Sequence, residues 1–392
     1  MAPFLFLLQT GFSEQGGLNM PEGRVKMVFP GGNTSLGFYS FYDYIIGDNA
    51  KRVFWLKGGP GTGKSTFMKR IGQELQEKGI DLEYHWCSSD FNSLDGIVLP
   101  AYGVAIIDGT APHVNDPLYP GAVDEIINFG DYWDREKLVL HRDEIILLKK
   151  RVSQCFATAY SSLKMARMAR EEEKVYRDKA LDYQCFHRLI GNLLRQIFGQ
   201  ELSWGEGVPW ERHLFASALT PQGIVHHLST LLDNLTFLYL VDGDPGSGKE
   251  EILKEVAEFA YRSGLSVEVY HCAFDPILID LVVLPQRKTA VLKVFKELDF
   301  VPENLPNVKY CETINCNTCL DEGVLKEYEQ ELREVRELFD TCLQRGLSYL
   351  KRARQFYREL EKHYLEAMDF DGVERCRKEV LERILNIVSE KK

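Results

Sequence analysis

The chain contains an internal duplication. The segment VFWLKGGPGTGKST at residues 53–66 recurs as FLYLVDGDPGSGKEE at residues 237–251, so that Lys64 aligns with Lys249. The likeness continues upstream, where FPGGNTSLG matches FASALTPQG, and downstream, where SLDGIVLP matches LIDLVVLP. Because similar sequences fold alike, the duplication predicts two domains that share one architecture.

The ends of the repeat give the domain boundaries. We predict an N-terminal tail at residues 1–24, a first domain at residues 25–211 and a second domain at residues 212–392. Residues 1–8 form the longest apolar run, which is far shorter than the ~20 residues of a membrane-spanning helix. The run also lacks the basic region and cleavage site of a signal peptide, and Met20 is an alternative start. No membrane partner is expected.

Charge and cysteine content narrow the function classes. The net charge is −11, from 47 basic and 58 acidic residues, which disfavours charge-driven binding of nucleic acid. The nine cysteines are scattered over the chain and no secretory segment precedes them. This pattern fits a reducing cytosol better than a disulfide framework, so the expected location is the cytoplasm.

Apolar patterning predicts an α/β fold. Residues 53–56 and 237–241 are short apolar runs that end at glycine loops, and residues 82–87 and 104–107 are further strand candidates. Phe67, Ile71 and Leu75 have the spacing of one helix face, directly after the first glycine-rich segment. Strands that alternate with helices favour a parallel sheet with flanking helices in each copy.

Each copy then changes character. Residues 131–190 contain neither glycine nor proline, and residues 324–392 are interrupted only by Gly346 and Gly372. Such stretches predict long helices, and we expect one antiparallel helical hairpin in each copy, at about residues 131–200 and 322–390. The hairpins are interpreted as packing arms, as lids or as surfaces for a protein partner.

Residues 58–65 read GGPGTGKS and match the P-loop pattern GxxxxGK[ST] in full. Glycines allow consecutive backbone N–H groups to surround phosphate oxygens, and the N-terminus of the following helix adds positive partial charge. Lys64 is expected to reach the β- and γ-phosphates, and the Ser65 hydroxyl to bind Mg²⁺. The predicted nucleotide-binding residues are Gly58, Gly59, Pro60, Gly61, Thr62, Gly63, Lys64, Ser65 and Thr66.

A carboxylate completes the predicted metal site. Residues 104–108 read VAIID, an apolar strand that ends in Asp108, as in a Walker B motif. In that arrangement Asp108 lies beside Ser65 and holds Mg²⁺ together with it. ATP and Mg²⁺ are therefore the predicted ligands.

Other polar residues follow the strands at the same sheet edge. Asp90 and Asp95 come after one strand, and Thr110, His113 and Asp116 come after Asp108. We take Asp90 and His113, with Lys64 and Asp108, as the catalytic candidates, because either could orient an attacking water or hydroxyl. The same residue types also suit turns and helix caps, so each of them has an equally good structural explanation.

The second copy retains the glycines and the lysine but loses the metal-binding residues. Gly243, Gly246, Gly248 and Lys249 keep the phosphate-binding pattern. Glu250 replaces Ser65, and Lys293 aligns with Asp108. We predict a degenerate site in which Glu250 and Lys293 form an ion pair where Mg²⁺ would otherwise bind.

Cys311, Cys316 and Cys319 have a spacing that suits a metal or iron–sulfur site. The repeat offers a second interpretation, because Cys316 aligns with Phe129 and Cys319 with Tyr132. Cysteines at aromatic positions act as small core side chains. Both interpretations remain open at this stage.

With its two P-loop segments, FPGGNTSLGFYSFYDYI and AIIDGTAPHVNDP, the chain resembles a family of uncharacterised bacterial ATP-binding proteins with two P-loop halves. The resemblance implies two tandem P-loop NTPase domains and ATPase activity, and no particular substrate. We expect hydrolysis of Mg·ATP in the first half and a regulatory or structural role for the second. The alternatives are a small-molecule kinase with a helical lid and a non-hydrolysing, nucleotide-dependent regulatory module.

Overall fold

The computed structural model describes residues 22–47, 49–110, 117–199, 208–295 and 302–390. The first half contains the strands β1 (Val25–Val28), β2 (Gly31–Thr34), β3 (Gly37–Ser40), β4 (Arg52–Lys57), β5 (Leu82–Trp86), β6 (Leu94–Leu99), β7 (Val104–Asp108) and β8 (Asp124–Asn128). The second half contains β9 (Glu211–Phe215), β10 (Ser217–Thr220), β11 (Gly223–His226), β12 (Phe237–Asp242), β13 (Val267–His271), β14 (Ile279–Leu284), β15 (Thr289–Lys293) and β16 (Tyr310–Asn315). The predicted tail lies almost wholly outside the described residues.

The two halves have the same sheet topology. Each contains a six-stranded sheet, with strand orders β1-β5-β6-β7-β4-β8 and β9-β13-β14-β15-β12-β16, and a separate two-stranded hairpin. The order is identical when corresponding strands are compared, which confirms the α/β class and the structural duplication. The second half begins with β9, next to the boundary predicted from the repeat.

The sheets are mixed, whereas the sequence pattern predicted parallel sheets. β6 and β14 run antiparallel to both of their neighbours, and the remaining pairs are parallel. The reason is the length of the connections. Only residues 100–103 join β6 to β7, and a parallel crossover needs about a dozen residues or more.

The helices are α1 (Lys64–Gln76), α2 (Arg135–Leu140), α3 (Arg142–Asp178), α4 (Tyr183–Phe198), α5 (Leu228–Leu232), α6 (Lys249–Arg262), α7 (Glu322–Glu327), α8 (Glu329–Leu365) and α9 (Phe370–Ser389). The long helical regions were predicted correctly. The expected hairpins within each copy were wrong: the two 37-residue helices α3 and α8 pack along each other, one from each half. At Gly346 of α8 a Cβ atom would lie 2.8 Å from the Leu163 side chain of α3, so the two helices are in close contact there.

The final helices of the two halves are exchanged. α4 belongs to the first half by sequence, but Phe186, Leu193 and Ile197 enter the core of the second sheet. α9 belongs to the second half, and Val380 and Ile384 enter the core of the first sheet. Each sheet therefore buries an apolar helix face that the other half supplies, and a large part of the hydrophobic stabilisation of each unit comes from its partner.

Equivalent backbone hydrogen bonds hold the start of each exchanged helix against the other half. The Asp369 amide donates to the Tyr132 carbonyl, and in the corresponding position the Asp182 amide donates to the Cys319 carbonyl. Next to the second of these bonds, a disulfide joins Cys185 of α4 to Cys319. The sequence pattern favoured reduced cysteines, and the structure differs because the exchange of α4 brings together two residues that are 134 apart in the chain.

The two halves also meet at a cluster of charged side chains, to which each half contributes equivalent residues. The Arg212 guanidinium donates to both carboxylate oxygens of Glu83, at 2.9 and 2.7 Å, and the Lys26 ammonium lies 2.5 Å from Glu268. Burial alone would raise the pKa of Glu83, but Arg212 and Lys26 lower it well below its ordinary value. Since Lys26 corresponds to Arg212 and Glu83 to Glu268, each half supplies one cation and one carboxylate. Within the described residues, no helix is long and apolar enough to cross a membrane.

Candidate functional site

The loop between β4 and α1, residues 58–63, is called the first loop. Gly61 and Gly63 have φ angles of 73° and 93°, a region that side chains strain to occupy, and Gly63 caps the N-terminus of α1. The free N–H groups of this helix end point into the loop. The conformation therefore suits an anion such as a phosphate.

Lys64 is buried at the base of the first loop. Its ammonium donates to the carbonyls of Gly58 and Gly59, at 2.8 and 2.9 Å, and lies 3.7 Å from Asp108. Since β7 lies beside β4 and pairs Asp108 with Leu56, the end of the strand brings this carboxylate to the loop. The sequence predicts Asp108 beside Ser65, and the structure places its carboxylate beside the adjacent residue, Lys64.

Two hydroxyls and a carboxylate line the same region. The Ser65 hydroxyl accepts a hydrogen bond from the Leu94 amide at 3.0 Å. Asp108 accepts from the Thr110 amide at 2.9 Å, and the Thr110 hydroxyl donates to the Gly58 carbonyl. These contacts tie the end of β7 to the first loop.

The other acidic candidates occupy different positions. Asp95 lies on β6 and is 4% exposed, and together with burial its charge raises the pKa of the Tyr42 hydroxyl well above the ordinary value. Asp90 lies in the turn before β6, where its carboxylate accepts a hydrogen bond from Ser93 at 2.7 Å. His113 and Asp116 lie outside the described residues.

α8 of the second half covers the first loop. A Cβ atom at Gly59 would lie 2.5 Å from the Tyr364 ring, and one at Gly61 would lie 2.6 Å from the Glu361 carbonyl oxygen. The glycines therefore serve two purposes, the turn itself and the close approach of the helix. The cover belongs to the other half of the chain, so the site is composite.

Arg354 on α8 is the charged centre of this cover. Its guanidinium donates to Asp90 at 2.7 Å and to Glu361 at 3.0 Å, and its side chain is 13% exposed. One of its nitrogens, Nε, is buried and makes no hydrogen bond to the described residues. Burial raises the pKa of Tyr357, one helical turn along, and the carboxylates of Glu361 and Asp108 add to the shift. A cation and a phenol thus face the region of Asp108.

Arg354, Tyr357, Glu361 and Tyr364 are residues that the sequence analysis did not assign to the site. A weak signal was present, because Arg354 aligns with Arg167 in the repeat. Nothing local in the sequence shows that a helix near the far end of the chain lies over the first loop. The exchange of the helices is needed to bring them together.

Residues 243–248, called the second loop, have almost the same backbone. Gly246 and Gly248 have φ angles of 79° and 93°, and Gly248 caps α6 as Gly63 caps α1. The Lys249 ammonium, however, donates to the Val294 carbonyl at 3.2 Å. Burial lowers the pKa of Lys249, and the neighbouring Lys293 ammonium also acts downward.

Lys293 occupies the place of Asp108. It pairs with Val241 on β12, as Asp108 pairs with Leu56 on β4. Its ammonium lies 2.5 Å from Asp280 and 3.6 Å from Glu250, so the predicted pair with Glu250 exists as part of a three-membered cluster. Burial alone would lower the pKa of Lys293, but the two carboxylates raise it above its ordinary value.

The mouth of the second loop is closed by an arginine of the first half. Arg177 on α3 is 1% exposed and lies 2.9 Å from the Asp244 carboxylate within the loop. Arg336 on α8 is 3.7 Å from the same carboxylate. The corresponding position in the first loop is Gly59, which carries no charge, so this closure belongs to the second loop.

Of the two interpretations of the three clustered cysteines, the metal site is not formed. Cys319 is in a disulfide, Cys316 is buried against the second loop, and Cys311 is an exposed residue of β16. The alternative, in which Cys316 and Cys319 are small core side chains, agrees with their burial in the second core.

Comparison with known proteins gives one match. The family model described as Nephrocystin 3, N-terminal matches residues 39–97, which run from β3 to β6 and include the first loop and α1. No curated protein and no solved structure matches the chain. The similarity is to less than half of the chain, and the resemblance to bacterial proteins with two P-loop halves remains an expectation.

Proposed function

We propose that the chain is a tandem P-loop NTPase that binds Mg·ATP at the first loop and hydrolyses it there. The observation that carries the proposal is the position of Lys64. Its ammonium is held by two carbonyls of the first loop and lies 3.7 Å from Asp108, at the N-terminus of α1. A phosphate entering the loop can replace the two carbonyls as the partner of the lysine.

The phosphates of ATP would occupy the space enclosed by the first loop. The N–H groups of the loop and of the first turn of α1 donate to phosphate oxygens, and Lys64 stabilises the charge that develops between the β- and γ-phosphates. The match of residues 39–97 to one family model covers the segment that contains this loop.

The residues present fit a magnesium ion. Ser65 and Asp108 would hold it, and both offer the oxygen donors that Mg²⁺ prefers. Asp95 is buried on β6, where the antiparallel pairing of Gly96 with Ile107 brings it level with Asp108. When bound, the ion neutralises charge on the β- and γ-phosphates. Asp90 is held by Arg354 and Ser93, so its part is to position the arginine that covers the site.

A neighbouring cavity offers room for the nucleobase. It has a volume of about 460 Å³ and lies next to the first loop, because Tyr364 contacts both. The rings of Trp133 and Tyr364, 5.9 Å apart, form part of its wall. Aromatic side chains in this position provide a stacking surface for a base.

The second half acts in this proposal as a degenerate copy. Its lysine cluster fills the cation position, and Arg177 closes its loop. Its remaining contribution is the cover that α8 places over the first loop. The contact between α8 and the first loop supports a second candidate function. In it, nucleotide binding changes the position of the long helices, and a protein partner recognises that change without hydrolysis of the nucleotide.

Turnover of γ-labelled ATP by the full chain tests these functions. Hydrolysis releases label as free phosphate, and Lys64→Ala abolishes that release. Label in an organic product, when cell metabolites are supplied, would identify a kinase instead. Tight binding of Mg·ATP without release of label would identify the regulatory module. Release of phosphate that is unchanged in Lys64→Ala would contradict the assignment of the site.

A further inference from the structure

A group of metal-ligand side chains lies at the base of the long helices. His141 connects α2 to α3, Glu144 is in the first turn of α3, and His363 is in the last turn of α8. One carboxylate oxygen of Glu144 lies 3.5 Å from His363 Nε2 and 3.9 Å from His141 Nδ1. All three donor atoms lie within 4.8 Å of one another. Two halves of the chain therefore contribute to one cluster.

These separations suit a small transition-metal ion. A tetrahedral zinc ion with ligands at about 2.0–2.2 Å holds its donors roughly 3.3–3.5 Å apart, so the three groups need to approach one another by at most about 1.5 Å. Two imidazoles and one carboxylate are a donor set for zinc and related ions, and water would fill the remaining position. We propose that His141, Glu144 and His363 bind a zinc-class divalent ion that fastens α8 to the first half.

The corresponding place on the other side of the molecule argues for a specific role. The helices α3 and α8 have the same length, and aligning their first residues, Arg142 and Glu329, gives the correspondence between them. In this alignment Tyr328 corresponds to His141, and Tyr176 corresponds to His363. The two tyrosine rings pack against each other with centroids 5.4 Å apart. On this side, a pair of aromatic rings is therefore sufficient for the packing of α3 against the start of α8. The side next to the first loop has instead two imidazoles, which add metal-binding nitrogens to the same contact.

The charged residues also differ between the tyrosine side and the histidine side. On the tyrosine side, the Lys179 ammonium lies 3.2 Å from the Tyr328 hydroxyl and 4.4 Å from its ring centroid. The sequence position that corresponds to Lys179 is Glu366. On the histidine side the Lys137 ammonium donates to the Glu366 backbone carbonyl at 3.4 Å, and the charged group that contacts both rings is the Glu144 carboxylate. The tyrosine side thus presents a lysine to the ring, whereas the histidine side presents a carboxylate, which favours a bound cation.

The location indicates what the ion would do. His363 directly precedes Tyr364, whose ring contacts Gly59 of the first loop. An ion bound to His141 and His363 would hold the last turn of α8 against the first half. Metal binding would therefore stabilise the cover of the first loop, and this holds whether or not ATP is hydrolysed there.

Zinc titration of the full chain, freed of metal by a chelator, tests the proposal. We expect one zinc ion per chain that is lost in His363→Tyr, which introduces the residue of the corresponding position, and bound at least tenfold more weakly in Glu144→Gln. The control is His187→Tyr, because His187 is an exposed histidine of α4 outside the cluster. This variant should bind zinc as the wild type does.

Thermal unfolding of the same variants separates binding from folding. The unfolding midpoint of the wild type and of His187→Tyr should rise with zinc, and that of His363→Tyr should not respond. Zinc bound by cysteines would appear equally in all variants, since they share every cysteine. Equal zinc binding by wild type and His363→Tyr, or no binding at micromolar zinc, would overturn the proposal.

Discussion

The first and second loops have nearly the same backbone and opposite charge at one position. The φ angles are 73° and 93° at Gly61 and Gly63 in the first loop, and 79° and 93° at Gly246 and Gly248 in the second. Beside the first loop stands Asp108, and at the same register beside the second stands Lys293. The loop backbone is therefore nearly the same whether an acidic or a basic residue ends the neighbouring strand.

The difference shows that the loop keeps its backbone when the carboxylate beside it is replaced by a lysine. In the second half the Lys293 ammonium takes the place of the cation and satisfies two carboxylates, Asp280 and Glu250. A buried carboxylate without a cation would be costly, so the two substitutions in that site depend on each other. In the first half the corresponding positions are Asp95, Asp108 and Ser65, and the cation next to Asp108 is the loop lysine, Lys64, at 3.7 Å.

The strongest way to test this comparison is to remove each loop lysine in turn. In Lys64→Ala we expect ATP hydrolysis to fall roughly 10²–10³-fold, because a preorganised charge of this kind contributes about 3–4 kcal/mol to the barrier. Lys249→Ala should leave hydrolysis within about twofold of the wild type, because Lys293 excludes the metal there. Initial rates of phosphate release at saturating Mg·ATP give the measurement. Equal losses in the two variants would show that both loops are active.

The next test removes the lysine that replaces the metal. Lys293→Met leaves Asp280 and Glu250 buried without their cation, and we expect the free energy of unfolding to fall by about 3 kcal/mol. Asp108→Asn, at the same register in the first half, should change stability far less. Urea unfolding followed by circular dichroism compares the two. A stability loss in Lys293→Met no greater than that in Asp108→Asn would show that the lysine cluster is not needed for folding.

The sequence was sufficient for the parts of the site that are local in the chain. The first loop was predicted from a strand, a glycine-rich loop and a helix that follow one another directly. The carboxylate beside it was predicted from the apolar strand that ends in Asp108. The antiparallel direction of β6 was also accessible in principle, since a connection as short as the one between β6 and β7 cannot form a parallel crossover.

The cover of the site could not be predicted in this way. The apolar stripes of α8 and α9 show that these helices bury a face, but not which sheet receives it. In the structure α9 packs on the first sheet and α4 on the second. The reverse arrangement would bury the same kinds of side chain. Arg354 and Tyr364 reach the first loop only because of that choice, and Cys185 meets Cys319 for the same reason.

Arg354 and Arg167 provide a matched test of the crossed arrangement. Arg354 lies 2.7 Å from Asp90 over the first loop, and Arg167 lies 2.8 Å from Asp275 in the corresponding place. Each arginine has a second carboxylate partner as well, Glu361 for Arg354 and Glu171 for Arg167, so the losses of stability in the two alanine variants should be similar. We expect turnover to fall about tenfold, equivalent to about 1.4 kcal/mol, in Arg354→Ala alone. Equal turnover in the two variants would make Arg354 a purely structural residue.

The smallest expected effect concerns pH, and it distinguishes the two halves at the interface between them. His227 and His271 of the second half occupy the positions of Phe41 and Trp86 in the first. Burial lowers the pKa of both histidines to about 4, and the neighbouring His226 and His213, respectively, contribute to the shift. The His227 ring is stacked on Phe29, with centroids 4.8 Å apart, which leaves little water around it.

These shifts determine the sign of the pH dependence. The folded pKa of about 4 lies below the ordinary value of 6.5, so protons bind more strongly to the unfolded chain. The stability is therefore fully present above pH 6.5 and is lost progressively as the pH falls toward 4. His227→Phe, which introduces the residue of the first half, should reduce this loss by about 1 kcal/mol at pH 5.5. Urea unfolding of the variant and the wild type at pH 7 and 5.5 measures the difference. If the two lose the same stability between these pH values, the second half owes none of its acid sensitivity to the stacked His227.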